Sequence, residues 1–315
     1  MALLPYVVAY IGLGIFAVAV LARIAMWVKM PLHIRWELYP VAHEGKRARY
    51  GGSYLEEVDW WKKPRETSLY GEIKAMFVEI VFLVALRENN RKLWMVSFPF
   101  HFGLYLVIGC SVLMIGGAIL GAISPAIIGG TFGLLLRYGI VACGYGGLAL
   151  ALLGALGLLG RRLTDPELKD FTTPADIFNL LLFVVAFGVA LLHALWVDRD
   201  FTRAFFVVQG LVTFGMPALA GEPAAVWLTT ATVLLLGVLV AYIPLTHMSH
   251  FIGKYFAYHA IRWNDAPNLQ GGSQEQPIQQ VLGYKVGWAA PHIQGEGKKS
   301  WADLATEDMT KGSAK

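Results

Sequence analysis

The sequence predicts an all-α protein, an integral membrane bundle of five transmembrane helices with an interfacial helix and a cytoplasmic C-terminal tail. Hydrophobic residues make up 56% of the chain and charged residues only 15%, and the mean hydropathy is +0.54. A soluble chain of this length needs far more polar surface. The charges also cluster and leave long uncharged runs between them. About 20 apolar residues cross a bilayer as a helix, the form that satisfies its own backbone in lipid. The net charge of +4 fits loops beside a membrane and gives no nucleic-acid footprint.

The first span runs from Leu4 to Val28, with Arg23 able to snorkel near its end. No basic residue precedes it, so a retained helix is expected instead of a cleaved signal peptide. The insertion at 29–95 is rich in Lys and Arg (Lys46, Arg47, Arg49, Lys62, Lys63, Arg65). Within it, Ala75 to Leu86 is apolar but short and interrupted by Glu79, which suits an interfacial or re-entrant helix. No charge occurs from Leu93 to Leu136, and Ser124, Pro125, Gly129 and Gly130 mark a turn there. The second span is thus Val96 to Leu120 and the third Phe132 to Leu159. The fourth covers Ile177 to Trp196. Asp198, Arg199, Asp200 and Arg203 lead into Phe205 to Ala220, which holds Gly210, Gly215 and Pro217 and is shorter than a comfortable span. The fifth runs from Val226 to His250. The chain is therefore read as a first helix (1–28), an insertion (29–95), a four-helix membrane core (96–250) and a tail (251–315).

Basic loops after the first span and at Arg161–Arg162 place those loops in the cytoplasm. Five spans then put the N-terminus outside and the tail inside. Cys110 and Cys143 are the two cysteines, both in apolar runs, and hold neither an iron–sulfur cluster nor a zinc site. Intramembrane histidines are costly unless paired or bound. His101 lies near the start of the second span, and His247 and His250 at the end of the fifth, all at one depth near the cytoplasmic face. Two histidines on different helices at one depth are what a bis-histidine haem needs, and Gly103 and Gly109 would let a flat macrocycle approach the helix. Helix-end histidines also meet water or headgroups, and His247 and His250, about 60° apart on one helix, need not both face inward. His193, at the outer end of the fourth span, is read as structural or as a hydrogen-bond partner of a quinone oxygen.

Three stretches carry a resemblance: Phe100-His101-Phe102-Gly103, the loop Arg161-Arg162-Leu163 through Pro166 to Thr172-Thr173-Pro174-Ala175-Asp176-Ile177, and Pro244-Leu245-Thr246 ending in His250. Together they resemble the gamma subunit of respiratory nitrate reductase, a five-helix b-type cytochrome, over Val96 to His250. The resemblance implies haem b ligated by His101 and His250. Ser111 and Thr232 stand where that family has its second pair of ligands, so one haem is implied, unless His193 or His247 serves a second in another arrangement. The insertion, together with Lys254-Tyr255-Phe256, His259, Arg262-Trp263 and Gly287-Trp288-Ala289-Ala290-Pro291-His292, looks more like relatives paired with heterodisulfide-reductase-like iron–sulfur proteins. These include the sulfite-reduction-associated, cytochrome-c-linked and electron-transfer-flavoprotein–quinone systems of anaerobic respiration.

The resemblance implies an electron-transfer subunit linking membrane quinone to a cytoplasmic iron–sulfur subunit, with further membrane or periplasmic subunits left open. Whether the chain is itself an enzyme stays undecided. Arg137, near the outer end of the third span, is close to a lysine that lines the family's quinol site, and it also reads as a snorkelling arginine. The volume near Ser111, Arg137, His193 and Thr232 is expected to hold the quinone headgroup, with a site beside His101 as the alternative. Lys254, Arg262, Arg161 and Arg162 are candidate partners of haem propionates. The tail, with Trp263, Trp288 and Trp301, suits a docking strap that orders on a partner. The competing readings are a haem-free membrane anchor and a transporter subunit, the latter disfavoured by the lack of paired broken helices.

Overall fold

The computed structural model describes residues 3–30, 42–44, 53–64, 68–290 and 293–308. Lys46, Arg47, Arg49, Arg65, Pro291 and His292 lie outside the described residues. The chain divides into two units, residues 1–20 with 76–248 and residues 21–75 with 249–315. Among the described residues, five helices are long and apolar enough to cross a membrane.

The first is α1 (Leu4–Val28). The apolar stretch of the insertion folds as α2 (Leu69–Phe82) and α3 (Val84–Asn89), which meet at Leu83 with φ +51°. Fourteen residues of helix reach about 21 Å, short of the roughly 30 Å hydrocarbon core. The break leaves carbonyls near the end of α2 without helical partners. Trp94 Nε1 donates to Phe82 O at 2.8 Å and Tyr105 Oη to Ile80 O at 2.8 Å, which ties that end to the second long helix, α4 (Arg91–Ile123).

A short α5 (Pro125–Gly129) turns the chain into α6 (Thr131–Thr164). The α4–α6 seam is built from small residues. A Cβ placed on Gly154 would lie 2.4 Å from Phe100 N, so the helices meet backbone to backbone, as small residues allow in membranes. After α7 (Pro166–Lys169), the Thr173 hydroxyl and Asp176 carboxylate form a capping box with Pro174 in the first turn. That pair starts α8 (Pro174–Trp196).

The segment predicted as too short to span is helical only as α9 (Thr202–Thr213). Beyond it the backbone takes positive φ at Phe214 and Met216, and the helix is shorter than the five of membrane length. Its carbonyls are served by α1: Tyr10 Oη donates to Leu211 O at 2.7 Å and Tyr6 Oη to Pro217 O at 3.0 Å. The last long helix is α10 (Pro223–Tyr242). Gly12 of α1 meets it so closely that a Cβ there would lie 2.4 Å from Gly237 O.

The fifth span was expected to continue to His250, and it does not. The α-helix ends at Tyr242, tight turns cover Ile243–Leu245 and His247–Ser249, and His250 opens a separate helix, α11 (His250–Phe256). Pro244 is the cause. It has no N–H to bond the carbonyl four residues back, and its ring clashes there.

In the second unit, α11 passes into a π-helical turn at Ala257–Arg262, closed by Trp263 N donating to Tyr258 O at 2.7 Å. Then come α12 (Glu275–Leu282), a two-residue antiparallel ribbon of β1 (Ala289–Ala290) and β2 (Ile293–Gln294), and α13 (Trp301–Thr306). The tail, expected to order on a partner, already buries Trp263 and Val286, 6% and 2% exposed. Tyr54, from the insertion, is buried in the same unit and donates from Oη to Asp265 Oδ2 at 2.6 Å. Trp288 and Trp301 stay exposed, edge to face against each other.

Candidate functional site

His101 lies in the first half of α4, beside a stacked row of Trp94, Phe98 and Phe102 and edge-on to Phe100. Its Nδ1 is 2.8 Å from the carbonyl oxygen of Ser97. A carbonyl only accepts, so Nδ1 carries the proton and Nε2 the lone pair. This is the tautomer for metal ligation through Nε2, with the backbone orienting the ring.

Gly103 does not have the role expected of it. A Cβ there would lie 2.3 Å from Ala151 N, so Gly103 serves helix packing and faces α6. A Cβ at Gly109 would meet nothing within 4 Å. His247 and His250 do not share a helix, so their expected angular relation does not apply. His247 is 66% exposed by side chain, its Nε2 4.0 Å from Asp176 Oδ1. His250 is exposed at the start of α11 in the second unit. Lys254 and Arg262, in that same unit, both lie over the ring of Tyr258, at 5.8 and 5.5 Å from its centroid.

Arg161 and Arg162 end α6. Arg161 Nη2 pairs with Asp165 at 2.7 Å, and Nη1 is buried with no hydrogen-bond partner among the described residues. The hydrogen bond from Arg161 is the main reason the Asp165 carboxyl lies below the ordinary carboxylate range. Arg162 lies 3.9 Å from Asp176.

At the other end of the first unit, α1, α4, α6, α8, α9 and α10 enclose a cavity of about 260 Å³. Its walls are apolar except for Cys110, Ser111, His193, Thr229 and Thr232. Three residues singled out from sequence, Ser111, His193 and Thr232, therefore do converge. Arg137 does not line the cavity. It pairs with Asp200, and both side chains are about half exposed. Burial works to raise the Asp200 carboxyl, but hydrogen bonds from Thr202 and the charge of Arg137 outweigh it and hold it below the ordinary range.

His193 is 4% exposed, and its Nε2 is 2.9 Å from Thr229 Oγ1. Thr229 Oγ1 also lies 2.8 Å from Ala225 O, so Nε2 of the imidazole is held against the α10 backbone turn through that hydroxyl. Phe201, at φ +58°, presses its ring against Gly144, where a Cβ would lie 2.4 Å from Cζ. Sequence reasoning missed both Thr229 and Phe201. The three-residue spacing of Thr229 and Thr232 on an apolar helix was the available signal for one. A buried loop phenylalanine leaves no periodic signal.

A bundle with five membrane-length helices among the described residues defines an integral membrane protein. Residues 86–264, more than half of the chain, match the family model described as nitrate reductase gamma subunit, and the chain belongs to that family, whose members are haem b-binding membrane subunits of multi-subunit complexes. No curated protein and no solved structure matches it.

Proposed function

We propose that the chain is the b-type cytochrome subunit of a respiratory complex, passing electrons between the membrane quinone pool and a cytoplasmic iron–sulfur subunit of the heterodisulfide-reductase-like kind. The observation that carries this reading is the hydrogen bond of His101 Nδ1 to Ser97 O. It presets the ring for ligation through Nε2 inside a membrane span, where an uncommitted imidazole would be costly.

The residues present fit a b-type haem. His101 would supply one axial ligand. The second is assigned on sequence alone to His250, with His247 as the competitor. Arg161 would meet a propionate through Nη1, which is without a hydrogen-bond partner among the described residues, and Arg162, Lys254 and Arg262 are further cations for this role. When bound, haem supplies one-electron redox chemistry. One haem is proposed, because Ser111 and Thr232 stand at the second pair's positions and His193 Nε2 is engaged by Thr229. Basic loops orient the chain with its N-terminus outside and its tail in the cytoplasm, where exposed Trp288 and Trp301 would anchor the partner.

The test is a reduced-minus-oxidised spectrum of the purified protein, with haem counted per chain, for wild type and His101→Ala. One b-type haem, lost in the variant, is expected. Two haems would overturn the ligand assignment, and none would leave a haem-free anchor.

A further inference from the structure

We infer that the break between α2 and α3 forms the wall that closes the lipid side of the haem site, with Tyr105 and Trp94 as the positioning residues that hold it against His101. The inference rests on the cytochrome reading above and deepens it, because it assigns the part of the chain that keeps the His101 imidazole seated.

His101 sits on a stripe of α4 that turns away from the α6 seam. Gly103, which meets α6, is two positions on and so about 200° round the helix. Trp94, Phe98, His101 and Tyr105 recur at spacings of four, three and four, and the pattern continues through Ile108, Val112 and Ile115. These outer three are bare, at 59, 61 and 44% exposure, whereas the inner four are half-buried. Tyr105 Oη donates to Ile80 O and Trp94 Nε1 to Phe82 O, each at 2.8 Å. A carbonyl only accepts, so the direction of both bonds is fixed. The two donors are eleven residues apart on α4, about 16 Å. They converge on carbonyls only two residues apart, about 3 Å along a helix. His101 lies between the donors, seven residues after Trp94 and four before Tyr105. The end of α2 therefore lies across from His101.

The break is a built feature. Leu83 takes φ +51°, a left-handed conformation costly for a residue with a Cβ. Stopping α2 there strands carbonyls at its end, and in lipid no water replaces their lost partners. Those of Ile80 and Phe82 are met by α4 instead, and Glu79 Oε2 accepts from Ala85 N at 2.9 Å, capping the first turn of α3. Arg87 of α3 adds a contact over the Trp94 ring, 5.6 Å from its centroid. Strain held by so many specific bonds is the kind kept for a purpose. Ile80 and Phe82 also lie ahead of residues 86–264, the stretch that matches the family, so the wall is added from outside the matched core. Its effect on the site follows from access. An imidazole bordering lipid can turn out of the bundle, and a haem edge bordering lipid can leave sideways. A segment laid over the stripe closes both routes.

The experiment uses the full-length purified protein, with haem counted per chain. It measures the rate of haem transfer to apomyoglobin and the fraction of dithionite-reduced haem that binds carbon monoxide. Carbon monoxide needs an open axial position, so its binding reports a histidine leaving the iron. Tyr105→Phe and Trp94→Phe each remove one hydrogen bond of the wall and keep an aromatic ring. Each is expected to speed haem transfer about tenfold, the equivalent of one buried hydrogen bond, and to raise the fraction that binds carbon monoxide. Tyr145→Phe is the control, since its hydroxyl bonds Ala194 O and Arg199 O at the other end of the bundle. It is expected to leave both readouts at the wild-type value, whereas a general loss of stability would move all three variants alike. A haem-loaded chain in which Tyr105→Phe and Trp94→Phe change neither readout, or in which Tyr145→Phe changes them equally, would overturn the inference and leave the cytochrome reading standing. A chain that purifies without haem would overturn both.

Discussion

A Cβ added to Gly103 of α4 would lie 2.3 Å from the amide nitrogen of Ala151 on α6. No side chain separates the two backbones there. Gly103→Ala is expected to force them apart and lower stability by about 1–3 kcal/mol, the cost of overpacking. Gly109→Ala, on the same helix with nothing within 4 Å of the new methyl, is expected to be neutral or to gain up to about 1 kcal/mol from helix propensity. Thermal unfolding in detergent checks both, and equal losses would show that the seam is not what matters.

The break at Pro244 separates His247, which is near Asp176, from His250 on α11. His250→Ala is expected to abolish haem binding, whereas His247→Ala keeps it. Haem content of the two purified variants decides which histidine is the ligand, and the reverse pattern would reassign it.

Restoring histidines at the second ligand pair should not restore a second haem. Phe201 fills the space against Gly144, and the remaining 260 Å³ suits a single headgroup ring better than a macrocycle. The double variant Ser111→His/Thr232→His is expected to keep one haem per chain, read by pyridine haemochrome assay. A count of two would mean that this wall yields.

Asp200 has its carboxyl depressed below the ordinary carboxylate value, so its contribution to stability is present above its unfolded pKa and is lost as pH falls through the folded one. Because both partners of its pair with Arg137 are about half exposed, the contribution is at most about 1 kcal/mol. Melting temperatures of wild type and Asp200→Asn should differ slightly at neutral pH and converge in acid.

Much of the bundle was legible because bilayer spans are written locally, as uncharged runs bounded by loops. The second to fourth spans begin and end within a few residues of where charge and Gly/Pro placed them. The end of the fifth was misread because hydropathy continues smoothly through Pro244, while the backbone cannot. Gly103 was assigned to a cofactor because a sequence shows that a residue is small without showing what approaches it. The cavity was half legible. Ser111, His193 and Thr232 could be gathered by helix depth, but Thr229 meets His193 from 36 positions away, a pairing no sequence pattern records.

The two tyrosines of α1 that reach Leu211 O and Pro217 O bear on how the chain is made. The stretch after Thr213 has left helical geometry, and in lipid its carbonyls have no water to turn to. Pro217 O in that stretch, and Leu211 O in the last turn of α9, accept from donors made some 200 residues earlier, and chains fold largely from the N-terminal end as they are synthesised. The first span is thus already in place as a receptor when this segment leaves the ribosome. Tyr6→Phe with Tyr10→Phe should therefore show itself during biogenesis, as slowed insertion and faster turnover by membrane proteases, before it shows in the melting of protein that has already matured.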